Sequence, residues 1–187
     1  MATVLTDAGF ADLLANFRES WFKLEAQPAY AIGAEREALE RFQEDGTLLP
    51  PSEFGWWQDW LAGVRKHVRD GKVIQRVRVL DEPPTPYQRY LLAVDHWHTE
   101  AGEQIAYMSR KTAVRVGLRL VRHDWHLFDD TKAAVTWFTA EGKVDRRELV
   151  TDPMAVNQVT AALVSSNRCQ SWRTSRRPTR TAVLRDR

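Results

Sequence analysis

The stretch from Gly71 to Tyr90, GKVIQRVRVLDEPPTPYQRY, admits few conformations. Val73 to Leu80 alternates with period two, placing Val73, Gln75, Val77 and Val79 on one face and Ile74, Arg76, Arg78 and Leu80 on the other. A strand that is apolar on both faces apart from two arginines belongs inside a sheet, covered from both sides. Thr85, Pro86 and Gln88 then supply the cap, the first helical position and the reciprocal capping-box partner of a helix. That helix carries Tyr87, Tyr90, Leu91 and Val94 on one side and stops near Gly102. A strand running straight into a capped helix predicts a crossover to a parallel neighbour.

The rest of the chain is read outward from this unit. Before it, Phe10, Leu13, Leu14, Phe17, Trp21 and Leu24 recur at helical spacing and predict one amphipathic helix over Asp7 to Glu25. A short helix is expected over Glu35 to Phe42. A third, capped by Ser52 and striped by Trp57, Trp60, Leu61, Val64 and Val68, is expected to end at Asp70-Gly71. After Gly102 come a strand over Gln104 to Met108, a helical turn around Thr112 to Val116, and a strand over Asp124 to Asp129. Strands over Ala133 to Thr139 and Val144 to Val150 form a meander, and a final helix is capped by Asp152. The expected fold is α/β: a mixed sheet of about five strands in the order βαβαβββα, preceded by three helices. It forms one domain over 1–165, with a helical segment 1–71 and an α/β core 72–165. Residues 166–187, rich in Arg, Ser and Thr without apolar periodicity, are expected to form a disordered basic tail.

Composition narrows the classes. A hydrophobic share of 43% with 28% charged residues belongs to a soluble domain, no run is apolar enough to span a bilayer, and the N-terminus lacks signal-peptide character. A cytoplasmic location without membrane contact is expected. The single cysteine, Cys169, gives no disulfide and no cysteine cluster for a metal. The net charge of +2 is uneven: seven arginines and one acid from Ser166 onward leave 20 basic and 24 acidic residues before them, a net −4. Nucleic-acid contact is therefore expected only through the tail, which carries one aromatic, Trp172, for stacking.

Candidate chemistry follows from the expected sheet, because ligands of open α/β sheets bind beyond the carboxyl ends of parallel strands. That rule nominates Asp81 and Glu82, then Ser109, Arg110 and Lys111, then Asp129 and Asp130 as a converging set for a cation or a polar ligand. Turn chemistry is the competing explanation for these acids. Arg76 and Arg78 share a face and could hold an anion bidentately, or pair with structural acids such as Glu103 and Glu148. The pairs His96/His98 and His123/His126 lack the ligand count and spacing of a zinc site. No nucleophile elbow and no glycine-rich phosphate loop occurs, so no catalytic residue, metal or cofactor is assigned. Trp57 and Trp60 read as core, with Trp56 left as a docking candidate.

The segments WFKLEAQPAY, GKVIQRVRVLDEPPTPYQRY, AGEQIAYMSR and DWHLFDD, in this order, resemble an uncharacterised actinobacterial family whose domain has no known function. The resemblance spans about Phe10 to Val164. Its members look like neighbours of small helix-turn-helix regulators, which implies a regulatory or accessory role and a transcription regulator as protein partner. The strand-helix-strand run is more distantly similar to one half of a phospholipase D-like fold, which also serves as a catalytically silent sensor. The His-x-Lys motif of that superfamily is broken here, since Leu127 and Phe128 follow His126. The arginine-rich finish also departs from the family pattern. The expected function is thus a non-enzymatic domain that binds a small anionic ligand or a protein partner. Arg76, Arg78, Asp81, Glu82, Arg110, Asp129 and Asp130 are its candidate ligand-binding residues. The alternatives are a hydrolase-like enzyme acting on a phosphodiester or other anionic substrate, with Arg76, Arg78, Asp81, Glu82, Asp129 and Asp130 around the site, and nucleic-acid binding through the tail.

Overall fold

The computed structural model describes residues 2–115 and 122–168, the last seven of these by backbone only. In chain order the elements are β1 (Ala2–Val4), α1 (Asp7–Asn16), β2 (Ser20–Glu25), α2 (Arg36–Asp45), α3 (Gly55–Arg69), β3 (Val73–Leu80) and α4 (Pro86–Glu100). They continue with β4 (Gln104–Ser109), α5 (Arg110–Arg115), β5 (Asp124–Phe128), β6 (Lys132–Phe138), β7 (Val144–Val150) and α6 (Pro153–Arg168). The fold is mixed α/β, as expected, but the described residues form seven strands and not five, in the order β1-β7-β6-β5-β2-β3-β4.

The difference comes from the N-terminal segment, which contributes two strands to the sheet. The single helix expected over Asp7 to Glu25 is two elements. Thr6 caps α1 by accepting the Gly9 N–H at 3.1 Å, α1 ends at Asn16, and the chain is extended again at Phe17. Ser20 to Glu25 then forms β2 in the interior of the sheet, parallel to β3 and antiparallel to β5. Trp21, Phe22 and Leu24 fit helical spacing, and they fit a strand covered on both faces as well, because such a strand needs no alternation. Ser52 also departs from expectation: it lies in a 3-10 turn, Pro51–Glu53, and α3 starts after Phe54 without a side-chain cap.

The strand and capped helix of the Gly71 to Tyr90 stretch form as predicted. β3 lies between β2 and β4, parallel to both, and α4 carries the full capping box of Thr85 and Gln88. Gln88 Oε1 also accepts the Asp81 N–H, and its amide nitrogen donates to Asp81 and to the Val79 carbonyl, so one buried side chain ties the end of β3 to the start of α4. β5, β6, β7 and β1 run antiparallel. β2 is the seam between the parallel and antiparallel halves.

The two faces of the sheet differ. On one, Phe22, Leu24, Val77, Val79, Met108, Leu127 and Ala133 pack with Ala113 of α5 and Val156 and Val159 of α6. On the other, Trp21, Ile74, Phe128 and Ala134 pack under Phe17 and the apolar stripes of α3 and α4. That second face is apolar only over the first half of β2 and β3; beyond Trp21 and Ile74 it becomes charged. The tail expected over 166–187 lies outside the described residues from Cys169 onward, while Ser166 to Arg168 belong to α6.

Candidate functional site

Cross-strand register sets the charged half of this face in two rows. One runs Arg76, Lys23, His126 and Ala134 across β3, β2, β5 and β6. In the next, Tyr107, Arg78 and Glu25 are neighbours, as are Asp124, Thr136 and Arg147. Helices α1, α3 and α4 and the loop around Tyr30 roof these rows and leave a cavity of about 400 Å³. Its floor is Lys23, Glu25, Arg76, Arg78, Asp124 and His126, and its roof is aromatic and aliphatic, including Trp57, Trp60, Tyr90 and Leu91.

The two arginines are fully engaged by acids. Arg76 meets both oxygens of Glu103, at 2.6 and 3.0 Å, and Glu25 at 3.0 Å. Arg78 meets both oxygens of Asp95, at 2.7 to 3.2 Å, and the other oxygen of Glu25. Glu25 also pairs with Lys23. Glu103 was among the acids expected for these arginines. Glu148 was too, but it pairs with Arg146 at the surface, whereas Glu25 and Asp95 were not foreseen. Burial alone would push the Glu103 carboxyl up, but Arg76 and His98 outweigh it and hold the group well below the ordinary carboxylate range. His98 Nδ1 lies 3.2 Å from Glu103 without good hydrogen-bond geometry, and burial pushes its ring below the ordinary histidine value.

At the other end of the cavity, burial and the neighbouring Arg76 push the Lys23 ammonium down to about 7. Burial, together with Lys23, Arg147 and Arg76, pushes the His126 ring well below its usual value, so it is neutral. Trp21 Nε1 donates to His126 Nδ1 at 3.0 Å. An indole nitrogen only donates, so the imidazole proton sits on Nε2. Asp124 accepts the Ala26 N–H at 2.9 Å and the Tyr30 hydroxyl at 2.7 Å. Burial raises its carboxyl, and burial with Asp124 raises Tyr30. Glu35, hydrogen-bonded by the Tyr87 hydroxyl, is likewise raised by burial.

The residues nominated at the strand ends fall into two groups at opposite ends of the sheet. Asp81 pairs with Arg110 and Glu82 with Lys111 in an open depression beyond β3 and β4, where Arg110 also donates to the Ala26 carbonyl at 2.7 Å. Ser109 bonds to Thr112 beside them. Asp129 and Asp130 lie at the opposite end of the sheet, because β5 is antiparallel to β2 and carries them back to Ser20. There the Asp129 carboxylate accepts N–H groups of Arg18, Glu19 and Ser20 at 2.8 to 3.1 Å, and both aspartates have φ near +50°. Turn chemistry accounts for this pair. Among the described residues no three His, Cys, Asp or Glu side chains are grouped to hold a metal ion, and no helix is long and apolar enough to cross a membrane.

The segments WFKLEAQPAY, GKVIQRVRVL and DWHLFDD supply β2, β3 and β5, the three strands whose side chains make the cavity floor. The family described as Domain of unknown function (DUF6879) matches residues 8–166, which includes all of them. The chain belongs to this family. The DUF6879 match ends within α6, so the cavity lies wholly inside it. No curated protein matches the chain.

Sequence reasoning missed Lys23, Glu25, Asp95, Thr136 and Arg147 as site residues. A usable signal was present in β2: read with period two, Trp21, Lys23 and Glu25 share a face. An assignment to helix hid it.

Proposed function

We propose that this DUF6879 domain binds a small ligand in the cavity on the helical face of its sheet. We propose further that it acts in the cytoplasm as a regulatory or accessory domain beside a transcription regulator. The cavity carries the first part of the reading. It is roofed by aromatic side chains and floored by charged groups, and two of its buried polar atoms, Thr136 Oγ1 and Arg147 Nε, have no hydrogen-bond partner among the described residues. Buried polar groups are nearly always paired, and a concave, mostly apolar site with a few convergent polar atoms is how proteins hold small molecules. The second part rests on the motif resemblance to an actinobacterial family found near helix-turn-helix regulators. The more distant likeness to silent phospholipase D-like sensors agrees with it, since His126 has its Nδ1 occupied by Trp21 and no lysine two residues on. A small anionic ligand fits the reading, but at a place other than Arg76 and Arg78, whose guanidinium groups are already matched to carboxylates.

Thermal unfolding with a panel of aromatic acids, amides and amines tests the proposal. Ligands that bind only the folded state raise Tm with concentration. Members of the panel are expected to stabilise the wild type and to lose that effect in Val94→Trp, which fills the cavity. The reading fails if nothing in the panel shifts Tm, or if the shifts survive in a folded Val94→Trp protein.

A further inference from the structure

The polar floor of the cavity divides into a closed part and an open part. Around Arg76 and Arg78 every charge is answered: Glu25, Asp95 and Glu103 take up both guanidinium groups. Toward β5, β6 and β7 the groups are donors with spare capacity. Lys23 has an ammonium with three N–H bonds, and its one ion-pair partner among the described residues is a Glu25 oxygen that Arg76 already uses. His126 presents a protonated Nε2, since Trp21 occupies its other nitrogen, and that Nε2 has no hydrogen-bond partner among the described residues. In the next row, beside Asp124, the Thr136 hydroxyl, on a side chain only 3% exposed, and Arg147 Nε have no hydrogen-bond partner among the described residues, while Arg147 Nη1 is held by Asp7.

Donors grouped in this way, inside a cavity, call for acceptors from a ligand. The surroundings set the ligand's charge. Burial, and after it Lys23, Arg147 and Arg76, depress the protonation of His126, so the ring shares this space with three cationic side chains. Asp124 and Glu25 border the same space, so a second negative charge would meet them uncompensated. The body is set by Phe10, whose ring stands edge-on to His126 at 4.8 Å, by Trp60 and Leu91 above, and by an apolar mouth at Ile32, Trp56 and Val144, each more than a third exposed.

Building on the proposed ligand site, we infer that the cavity takes an organic monoacid with a flat apolar body, its carboxylate received by Lys23, His126 Nε2, Thr136 and Arg147. The carboxylate supplies the acceptors these donors lack, and the rings lie between Phe10 and the α3–α4 roof. A phosphate dianion fits less well, because its extra charge faces Asp124.

Binding of 2-naphthoate, 2-naphthamide and 2-naphthyl phosphate to the full chain decides this. It is followed by calorimetry and by the indole N–H resonances of Trp21 and Trp60. Naphthoate is expected to bind at least tenfold more tightly than either analogue and to move both resonances. Lys23→Met is expected to erase the preference over the amide, and the nearly isosteric Thr136→Val to weaken naphthoate severalfold; if Lys23→Met does not fold, Thr136→Val decides. The head-group assignment is overturned, with the pocket intact, if the amide or phosphate binds as tightly as naphthoate, or if the folded variants leave the preference unchanged. If none of the three probes binds or moves the indole resonances, the inference and the ligand site fall together.

Discussion

Glu25 carries an unusual load for one carboxylate, serving Arg76, Arg78 and Lys23 together inside the fold. Breaking a buried pair leaves a charge without compensation, which costs far more than the pair contributes when intact. Glu103→Gln, which leaves half of the Arg76 fork facing a neutral amide, is expected to lower unfolding stability by roughly 3 to 5 kcal/mol in urea titrations. Lys23 makes the opposite contribution. Its pKa is about 7 in the folded chain against 10.5 for an ordinary lysine, so between these values the unfolded chain holds more protons. Stability therefore rises with pH from about 7 upward, by at most about 1.4 kcal/mol per unit from this one group. The window closes near pH 10, where the unfolded chain gains from ionising tyrosines that burial keeps protonated in the fold, Tyr30 and Tyr87 among them. Lys23→Met is expected to flatten the profile between pH 7 and 9.5; an unchanged slope would place the titration elsewhere.

At the level of elements, two tight junctions hold the cavity together. Gln88 satisfies four groups at the β3–α4 turn, and Gln88→Ala would leave the part-buried N–H groups of Asp81 and Thr85 unpaired. A loss of roughly 1 to 3 kcal/mol is expected, seen as a lower urea midpoint with an unchanged m-value. Gly142, in the β6–β7 turn, has φ +80° and lies so close to the Tyr30 loop that a Cβ would sit 2.9 Å from the Ala29 carbonyl oxygen. Its own carbonyl accepts the Ala31 N–H at 3.0 Å. Gly142→Ala therefore strains the turn and loosens that loop from the sheet, with faster amide exchange expected over residues 29–32. Both junctions differ in how far they could be read beforehand. The Thr85-Pro86-Gln88 box is a contiguous signal, and it gave the helix start to the residue. The clasp at Gly142 joins segments more than a hundred residues apart, and nothing near Gly142 announces it. The β2 error has the same origin: whether Trp21 to Glu25 coils or extends is decided by β3 and β5, not by its own periodicity.

For the whole molecule, the division into a helical segment 1–71 and a core 72–165 does not describe the sheet. A fragment of residues 72–165 lacks the strand on which β3 and β5 meet, and it is expected to show no cooperative thermal transition. The same geometry explains why the expected site dispersed. Asp81, Glu82 and Arg110 were legible as neighbours because β3 and β4 are parallel and close in sequence, whereas Arg76 and Arg78 face the cavity. Asp129 and Asp130 went to the far end once β5 turned out to be antiparallel to β2. The polar floor needed the long-range register of β2 to be visible at all.

The central place of β2 also sets the order of events during synthesis. Its side chains are made early, yet His126, the hydrogen-bond partner of Trp21, follows 105 residues later. At the usual pace of about 5 to 20 residues per second, the ribosome leaves Trp21, Phe22 and Leu24 without their antiparallel partner for roughly 5 to 20 seconds. A strand that carries Trp21 on one face and Phe22 and Leu24 on the other is sticky for as long as it waits, so the nascent chain depends on β3, α3 and α4 to cover it until β5 arrives.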